Sequence, residues 1–207
     1  MNVTIERFAI GPLETNAYVV RNRHEQALVV DPSSGCGEIL DYCRDRKVKV
    51  AAILLTHGHF DHIMGIPELR EAYPEATVWV HSSERILLQR ADYNGSGMIG
   101  QEFSYEGPVS ELTEGAMTIG GFELEVRHVP GHSPGGCAFL FDNQCLVGDA
   151  VFAGSIGRAD LPGGDGPLLI RSIREKLLSL PDDTVLYPGH GGRTTVSQEK
   201  RMNPFLR

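Results

Sequence analysis

The stretch Thr56-His57-Gly58-His59-Phe60-Asp61-His62 decides how this sequence is interpreted. It holds three imidazoles and one carboxylate, and it comes directly after the apolar run at residues 51–55. Imidazole and carboxylate together suit divalent metals such as zinc, iron or manganese. Because a buried strand that ends in a polar loop gives ligands a rigid base, the stretch predicts a metal site at the end of a strand.

Further candidate ligands lie in a local pattern that occurs twice. Residues 129–132 read Val-Pro-Gly-His and residues 187–190 read Tyr-Pro-Gly-His, so each segment presents a histidine after an apolar strand and a Pro-Gly turn. An aspartate also follows the strand at 145–147 through Gly148, which lets the backbone turn tightly. The full set of candidate ligands is His57, His59, Asp61, His62, His132, Asp149 and His190.

Seven ligands are more than one tetrahedral ion uses, so the sequence predicts two divalent ions. The first would be bound by His57, His59 and His132, and the second by Asp61, His62 and His190, with Asp149 bridging them. Zinc is the expected metal, with iron or manganese as alternatives.

The remaining histidines and the cysteines are not expected to bind metal. His24 lies in a charged turn and His81 precedes the start of a helix, so both are predicted to be surface or capping residues; His128 lies in an alternating strand and is predicted to be structural. The four cysteines form no CxxC pair and are expected to be free thiols in a reducing compartment.

Length and composition favour one domain over residues 1–207 of an ordinary globular protein. The net charge is −8 without a basic cluster, which argues against a nucleic-acid partner. No apolar run reaches the roughly 18 residues of a spanning helix, and the start of the chain is not a signal peptide. We therefore expect a cytoplasmic protein without membrane attachment, and its oligomeric state is not predicted.

The pattern of apolar residues predicts an α+β fold. Runs at 3–10, 17–20 and 27–30 predict an antiparallel meander, followed by a helix at 38–46 and the strand at 51–55. Later strands are predicted at 77–80, 116–119, 122–129, 137–141, 145–147 and 184–187, with helices at 65–72, from Ser82 onward and at 168–180. The segment 92–107 reads as a loop at the rim of the site, and 191–207 is weakly patterned. Two blocks of strands, each followed by helices, predict two packed sheets with helices outside.

The spacing HxHxDH, then a distant His, Gly-Asp and a last His, resembles the metallo-β-lactamase superfamily over essentially the whole chain. That resemblance implies an αββα four-layer sandwich of two mixed β-sheets. Residues 148–160 are similar to glyoxalase II (hydroxyacylglutathione hydrolase) and to persulfide dioxygenases, and residues 194–205 are similar to short bacterial glyoxalase II-like hydrolases. True β-lactamases generally lack the aspartate at position 149, which argues against antibiotic hydrolysis.

The resemblance implies hydrolysis of small-molecule thioesters such as S-lactoylglutathione by a hydroxide that bridges the metals. Asp61 would bind the second metal and orient that hydroxide, so it is the predicted catalytic residue. The alternatives are a mononuclear iron persulfide dioxygenase, in which Asp61, His62 and His190 would bind no metal, and another hydrolase of the superfamily that acts on lactones or other esters.

Glutathione recognition is assigned to Arg158, which occupies the region of a basic residue that contacts the peptide carboxylate in glyoxalase II. The other interpretation is a solvated arginine or one paired with Asp160. Gly191-Gly192 stands where glyoxalase II commonly has Glu-Tyr, and the C-terminal helical glutathione-binding domain is expected to be absent. We therefore expect an open site with modest affinity for S-lactoylglutathione.

Overall fold

Two mixed six-stranded sheets form the centre of the computed structural model, which describes residues 3–207. The strands of the first sheet, in spatial order, are β1 (Thr4–Ile10), β2 (Thr15–Arg21), β3 (Gln26–Val30), β4 (Lys49–Leu54), β5 (Thr77–His81) and β6 (Ser110–Leu112). β1 to β3 pair antiparallel, and β3 to β6 pair parallel.

The second sheet mixes both pairing directions as well. Its strands, in spatial order, are β14 (Thr194–Thr195), β13 (Val185–Pro188), β10 (Gln144–Gly148), β9 (Cys137–Phe141), β8 (Phe122–His128) and β7 (Gly115–Ile119). β10 and β13 are parallel, and the other neighbours are antiparallel. A separate small hairpin is formed by β11 (Val151–Phe152) and β12 (Ser155–Ile156).

Short helices and turns connect these strands. The helices are α1 (Gly37–Asp45), α2 (Phe60–Ile63), α3 (Ile66–Ala72), α4 (Arg85–Gln89), α5 (Ala91–Asn94), α6 (Gly166–Ser172) and α7 (Val196–Met202). Turns of 3-10 helix span Ser82–Glu84 and Ser96–Ile99, and a π-helical turn at Ile173–Leu177 continues α6. No helix in the part of the chain that the structure describes is long and apolar enough to cross a membrane.

Three separate hydrophobic clusters show that the fold has four layers. The central cluster joins side chains of the two sheets, such as Val20 and Phe139. An outer cluster packs the other face of the first sheet, including Val19, against α1 and α3. A third packs the second sheet against α6 and α7. Because side chains alternate along a strand, Val19 and Val20 serve different interfaces, and the helices cover the outer faces of the sheets.

The α+β fold and its two mixed sheets confirm the sequence prediction, and the opening meander and the β9–β10 hairpin are also present. Three local predictions were wrong. Residues 92–107 were expected to be an unpatterned loop, but their first part is formed by α5 and the turn Ser96–Ile99. The side-chain amide of buried Asn94 holds this turn by donating to the carbonyls of Leu87 and Phe103. The weakly patterned end of the chain contains α7.

The third correction concerns the start of the helical segment after β5. A helix was expected from Ser82 onward, whereas Ser82–Glu84 is a 3-10 turn and α4 begins at Arg85. The cap of the turn is His81, whose Nδ1 accepts from the backbone N–H of Ser83. This agrees with the capping role predicted for His81. Its ring also stacks on His128 at 4.3 Å, so the structural role predicted for His128 is confirmed.

Candidate metal centre

The candidate ligands lie in four loops that follow the ends of strands. Residues 57–62 come after β4, His132 follows β8, Asp149 follows β10, and His190 follows β13. Gly148 has a φ of +51°, and a Cβ there would lie 2.3 Å from Thr56 Oγ1, so glycine is required where the backbone turns beside the site. The structure brings together all seven residues that the sequence singled out.

Three histidines form the first group. Nδ1 of His59 lies 2.9 Å from Nε2 of His132, and that nitrogen lies 3.2 Å from Nε2 of His57. All three rings are buried. Burial lowers the pKa of each ring, and the neighbouring histidines lower it further for His57 and His59. The rings are therefore held neutral, as a metal ligand must be.

Asp61, His62 and His190 form the second group. Oδ2 of Asp61 lies 3.3 Å from Nε2 of His62 and 3.2 Å from Nε2 of His190. Burial alone would raise the pKa of Asp61, but the two histidines and Thr15 outweigh burial and hold it far below its usual value. Burial alone would lower the pKa of His62 and of His190, but the neighbouring carboxylates outweigh the effect of burial and raise both pKa values.

Asp149 lies between the two groups. Its Oδ2 is 3.7 Å from Nε2 of His132 and 3.6 Å from Nε2 of His190, and its Oδ1 is 3.5 Å from Nε2 of His62. These distances put one carboxylate within reach of both groups. The position is the one that a bridging ligand needs.

Unpartnered buried atoms indicate that the cluster fits divalent ions. Nε2 of His62 and Oδ1 of Asp149 are buried and make no hydrogen bond. Such atoms are rare in folded proteins. The two groups of three each have ligand atoms within 4.8 Å of one another, and nitrogen with carboxylate oxygen is a donor set that divalent transition metals accept.

Hydrogen bonds behind the rings fix their tautomers. The Nδ1–H of His132 donates to the carbonyl of Arg158 at 2.7 Å, and the Nδ1–H of His62 donates to Oδ2 of Asp31 at 3.0 Å. Nδ1 of His57 lies 3.0 Å from Oγ1 of Thr56, whose own proton goes to Asp31. Each of these rings therefore turns an Nε2 lone pair into the site.

Three supporting residues were not found from the sequence. Asp31 accepts from the backbone N–H and hydroxyl of Thr56 as well as from His62, and Thr15 donates to Oδ2 of Asp61 at 2.7 Å. A third cluster within 4.8 Å combines Asp31 with His57 and His62, but the bonds that Asp31 accepts make it an orienting residue. One signal was available, because Asp31 directly follows strand β3 just as the candidate ligands follow theirs.

Glu84 is the third supporting residue, and it connects two ligand loops. The carboxylate is fully buried and accepts from the backbone N–H of Gly58 at 2.7 Å and of Gly135 at 2.5 Å. Gly58 separates His57 from His59, and Gly135 follows His132 in the chain. Burial raises the pKa of Glu84, and bonds from Ser133, Gly135 and Gly58 act against that rise. No spacing in the sequence relates position 84 to 58 and 135.

A cavity of about 420 Å³ opens onto both ligand groups. Its lining includes His59, Asp61, His132, Asp149 and His190 together with Arg158. The guanidinium of Arg158 is paired with Asp160 through two contacts of 2.7 and 2.8 Å and is exposed. The pairing with Asp160 is therefore present, and the role of Arg158 in substrate recognition stays a prediction.

The other residues considered as ligands lie elsewhere. His24 is exposed and contacts Arg23. All four cysteines are free and buried, and none belongs to a candidate metal group among the described residues.

Comparison with known proteins gives one family match. The model of the metallo-β-lactamase superfamily matches residues 10–190. A probable metallo-hydrolase of Bacillus subtilis, YqgX, is 42% identical over 97% of this chain and 96% of its own length. The hydroxyacylglutathione hydrolase GloC of Haemophilus influenzae is 32% identical over 99% of this chain and 98% of its own.

Two solved structures are also similar. The B3 metallo-β-lactamase BLEG-1 superposes with a TM-score of 0.93 at 38% identity, covering 98% of this chain and 99% of that one. The di-iron-bound form of TTHA1623 has a TM-score of 0.87 at 38% identity, and the match covers 97% of this chain and 100% of TTHA1623. BLEG-1 is named as a β-lactamase, and the expectation that this chain does not hydrolyse antibiotics stays a prediction.

Proposed function

The chain belongs to the metallo-β-lactamase superfamily and has the fold of a metal-dependent hydrolase, and we propose that it hydrolyses thioesters as a hydroxyacylglutathione hydrolase (glyoxalase II) does. The observation that carries the proposal is the position of Asp149 between two ligand groups at the floor of a cavity. Similarity to GloC over nearly the whole chain supports the choice of substrate, a small-molecule thioester of the S-lactoylglutathione kind.

In this proposal His57, His59 and His132 bind one divalent ion and Asp61, His62 and His190 bind the other, with Asp149 shared. Zinc is the metal that we propose, and iron or manganese suits the same donors. The di-iron form of TTHA1623 makes iron the first alternative to test. When bound, such ions polarise a carbonyl and lower the pKa of water to about 7.

The protein's own residues would position the reacting groups. Asp61 is held ionised by His62, His190 and the hydroxyl of Thr15, so it would remain a carboxylate throughout turnover and can orient the attacking water. A thiolate is a good leaving group, and the reaction therefore needs no strong general acid. Arg158 would meet a substrate carboxylate only by exchanging it for Asp160, which keeps the affinity for glutathione conjugates modest.

The test is hydrolysis of S-lactoylglutathione by zinc-reconstituted protein beside a chelator-treated sample. We expect turnover that the chelator abolishes, and a decrease in kcat of at least about 100-fold in Asp61→Asn. The matched control is Asp183→Asn, at an exposed position that belongs neither to the candidate ligand groups nor to the cavity lining. If metal content is normal and no thioester is cleaved, the proposal fails.

A second candidate is β-lactam hydrolysis, which the similarity to BLEG-1 favours. The same protein samples would be assayed with a chromogenic cephalosporin. Oxygen uptake with glutathione persulfide in an iron-loaded sample would test the dioxygenase alternative. Each activity has its own readout, so one set of samples separates the three reactions.

A further inference from the structure

One side of the cavity is formed by large apolar side chains that come from separate segments. We call this set the apolar wall, and it consists of Leu13, Phe60, Met98, Ile99, Phe152 and Leu161. Leu13 belongs to the turn between β1 and β2, Phe60 opens α2, and Phe152 lies in β11. The wall is continuous with the ligand groups, because both line the same cavity.

Three of the six side chains of the apolar wall are unusually accessible to water for their kind. Met98 is 73% exposed, Leu13 49% and Ile99 40%. Among the described residues six large apolar side chains are exposed, and these are three of the six. Single exposed apolar residues are ordinary, but a contiguous group beside a cavity is typical of a surface that binds a ligand.

The part of the wall formed by Met98 and Ile99 is held in place. Asn94 is fully buried, and its amide bonds the carbonyls of Leu87 and Phe103 while its Oδ1 accepts from the N–H of Ser96. These bonds fix the turn Ser96–Ile99, which presents Met98 and Ile99. A flexible methionine on a fixed turn can adapt to chains of different length.

Charged groups for recognition are few in the same cavity. Among the described residues that line it, Arg158 is the only arginine or lysine, and it is already paired with Asp160. A highly charged substrate would therefore find few partners for its charges, whereas an apolar group would contact the six side chains of the apolar wall. The cavity therefore favours substrates whose non-reacting part is apolar.

We propose that the apolar wall binds an apolar arm of the substrate, an alkyl or aryl group attached beside the hydrolysed bond. This inference rests on the proposed thioester hydrolysis and narrows its substrate class to thioesters more apolar than S-lactoylglutathione. Each methylene that the wall covers should raise kcat/KM by two- to fourfold, about the effect of removing one methylene from water.

The experiment uses two series of neutral thioesters with the zinc-loaded full chain. One series keeps N-acetylcysteamine as the thiol and lengthens the acyl group from acetyl to octanoyl; the other keeps acetyl and lengthens an alkyl thiol. The series in which kcat/KM rises identifies the side that carries the arm. Met98→Ser and Leu13→Ser should reduce the octanoyl or octyl rate at least fivefold more than the acetyl or ethyl rate.

A control and a binding measurement keep the inference separate from catalysis. Met202→Ser removes an exposed methionine that does not line the cavity and should leave both series unchanged. Calorimetry on chelator-treated protein compares the thioethers S-ethyl- and S-octyl-N-acetylcysteamine, which contain no thioester bond. The octyl compound should bind at least tenfold tighter, and Met98→Ser should remove that preference.

The outcomes distinguish the two proposals. If both series are flat while S-lactoylglutathione is hydrolysed, the subsite is refuted and the thioesterase proposal stands. If no thioester is hydrolysed but the octyl thioether binds selectively and loses that selectivity in Met98→Ser, the subsite stands and the proposed reaction fails. Equal effects of Met98→Ser and Met202→Ser would also overturn the subsite.

Discussion

Replacing Asp31 with asparagine should weaken metal binding at both ligand groups, because Oδ2 of Asp31 fixes the tautomer of His62 directly and that of His57 through the hydroxyl of Thr56. The carboxylate accepts the backbone N–H of Thr56 on Oδ1 at 2.7 Å, and on Oδ2 the Thr56 hydroxyl at 2.5 Å and the Nδ1–H of His62 at 3.0 Å. Asparagine keeps one acceptor oxygen and places an NH₂ group at the other position. The φ of Asp31 is +52°, a conformation that asparagine tolerates, so the change adds little backbone strain.

The magnitude follows from the tautomers of His62 and His57. If the amide oxygen stays on the N–H of Thr56, the new NH₂ group faces Nδ1 of His62, which must then accept and carry its proton on Nε2. That nitrogen is the one directed at Asp61 and Asp149. The same NH₂ group faces Oγ1 of Thr56, so the Thr56 hydroxyl must turn its proton toward Nδ1 of His57, and the proton of that ring moves to Nε2 as well. Loss of such an outer partner costs 10–100-fold in metal affinity, or about 1.4–2.8 kcal/mol. The lost bond to a charged acceptor costs about 1.5–3 kcal/mol of folding free energy, which lowers Tm by about 3–12 °C.

The assay is a calorimetric titration of metal-free protein with Zn²⁺, read as two binding events, together with thermal unfolding. Asp183→Asn is the control for loss of one carboxylate at an exposed position. We expect the affinity of both events to decrease. Wild-type affinity at either event would refute the reasoning from the tautomers.

Three further results are expected. Glu84→Ala should lower Tm by about 4–8 °C, because two buried N–H groups lose their acceptor at about 1 kcal/mol or more each. Glu123→Ala, at an exposed position, is the control, and an unchanged Tm in Glu84→Ala would contradict the role of Glu84 in connecting the two ligand loops. Zinc affinity should rise with pH between 6 and 8, because carboxylates raise the pKa of His62 and His190 and the metal must displace the protons that these two rings bind. Asp61 is already ionised and adds nothing to this dependence. A zinc affinity that is the same at pH 6 and pH 8 would contradict this. Burial raises the pKa of Cys36 and of Cys145 to about 12, so the thiols of the native protein should react slowly with a disulfide reagent at pH 8. All four thiols should react in denaturant, and rapid labelling of the native protein would contradict their buried positions.

The part of the site that was predictable is the part that local sequence encodes. A polar residue directly after an apolar strand is visible in a single sequence, and all seven candidate ligands carry that signal within a few residues of a strand end. The contacts of Glu84 with Gly58 and Gly135 join positions 26 and 51 residues away, and no periodicity connects them. Their existence depends on the packed fold, so only the structure shows them.

Tertiary contacts also explain the local errors. Helix α7 was missed because its sequence is mostly polar, yet buried Glu199 anchors it by accepting from the hydroxyl of Thr194 and the N–H of Gly154. The helix expected at 168–180 is present only to Leu177, and its second half is a π-helical turn. Hydrophobic spacing gave only the position of the second of these segments, and neighbouring segments decided the final form of both.

The ligand groups draw on both sheets, which explains why the site lies at the edge of the sandwich. Residues 57–62 extend from the first sheet, whereas His132, Asp149 and His190 extend from the second. Backbone bonds already join the sheets there, from Cys137 N–H to the Thr56 carbonyl and from Asn16 N–H to the Gly189 carbonyl. A shared ion would add a third connection of the same kind. Since Asp31 and Glu84 orient loops on both sides of the junction, the relative position of the two sheets sets the distance between the two groups that Asp149 must span.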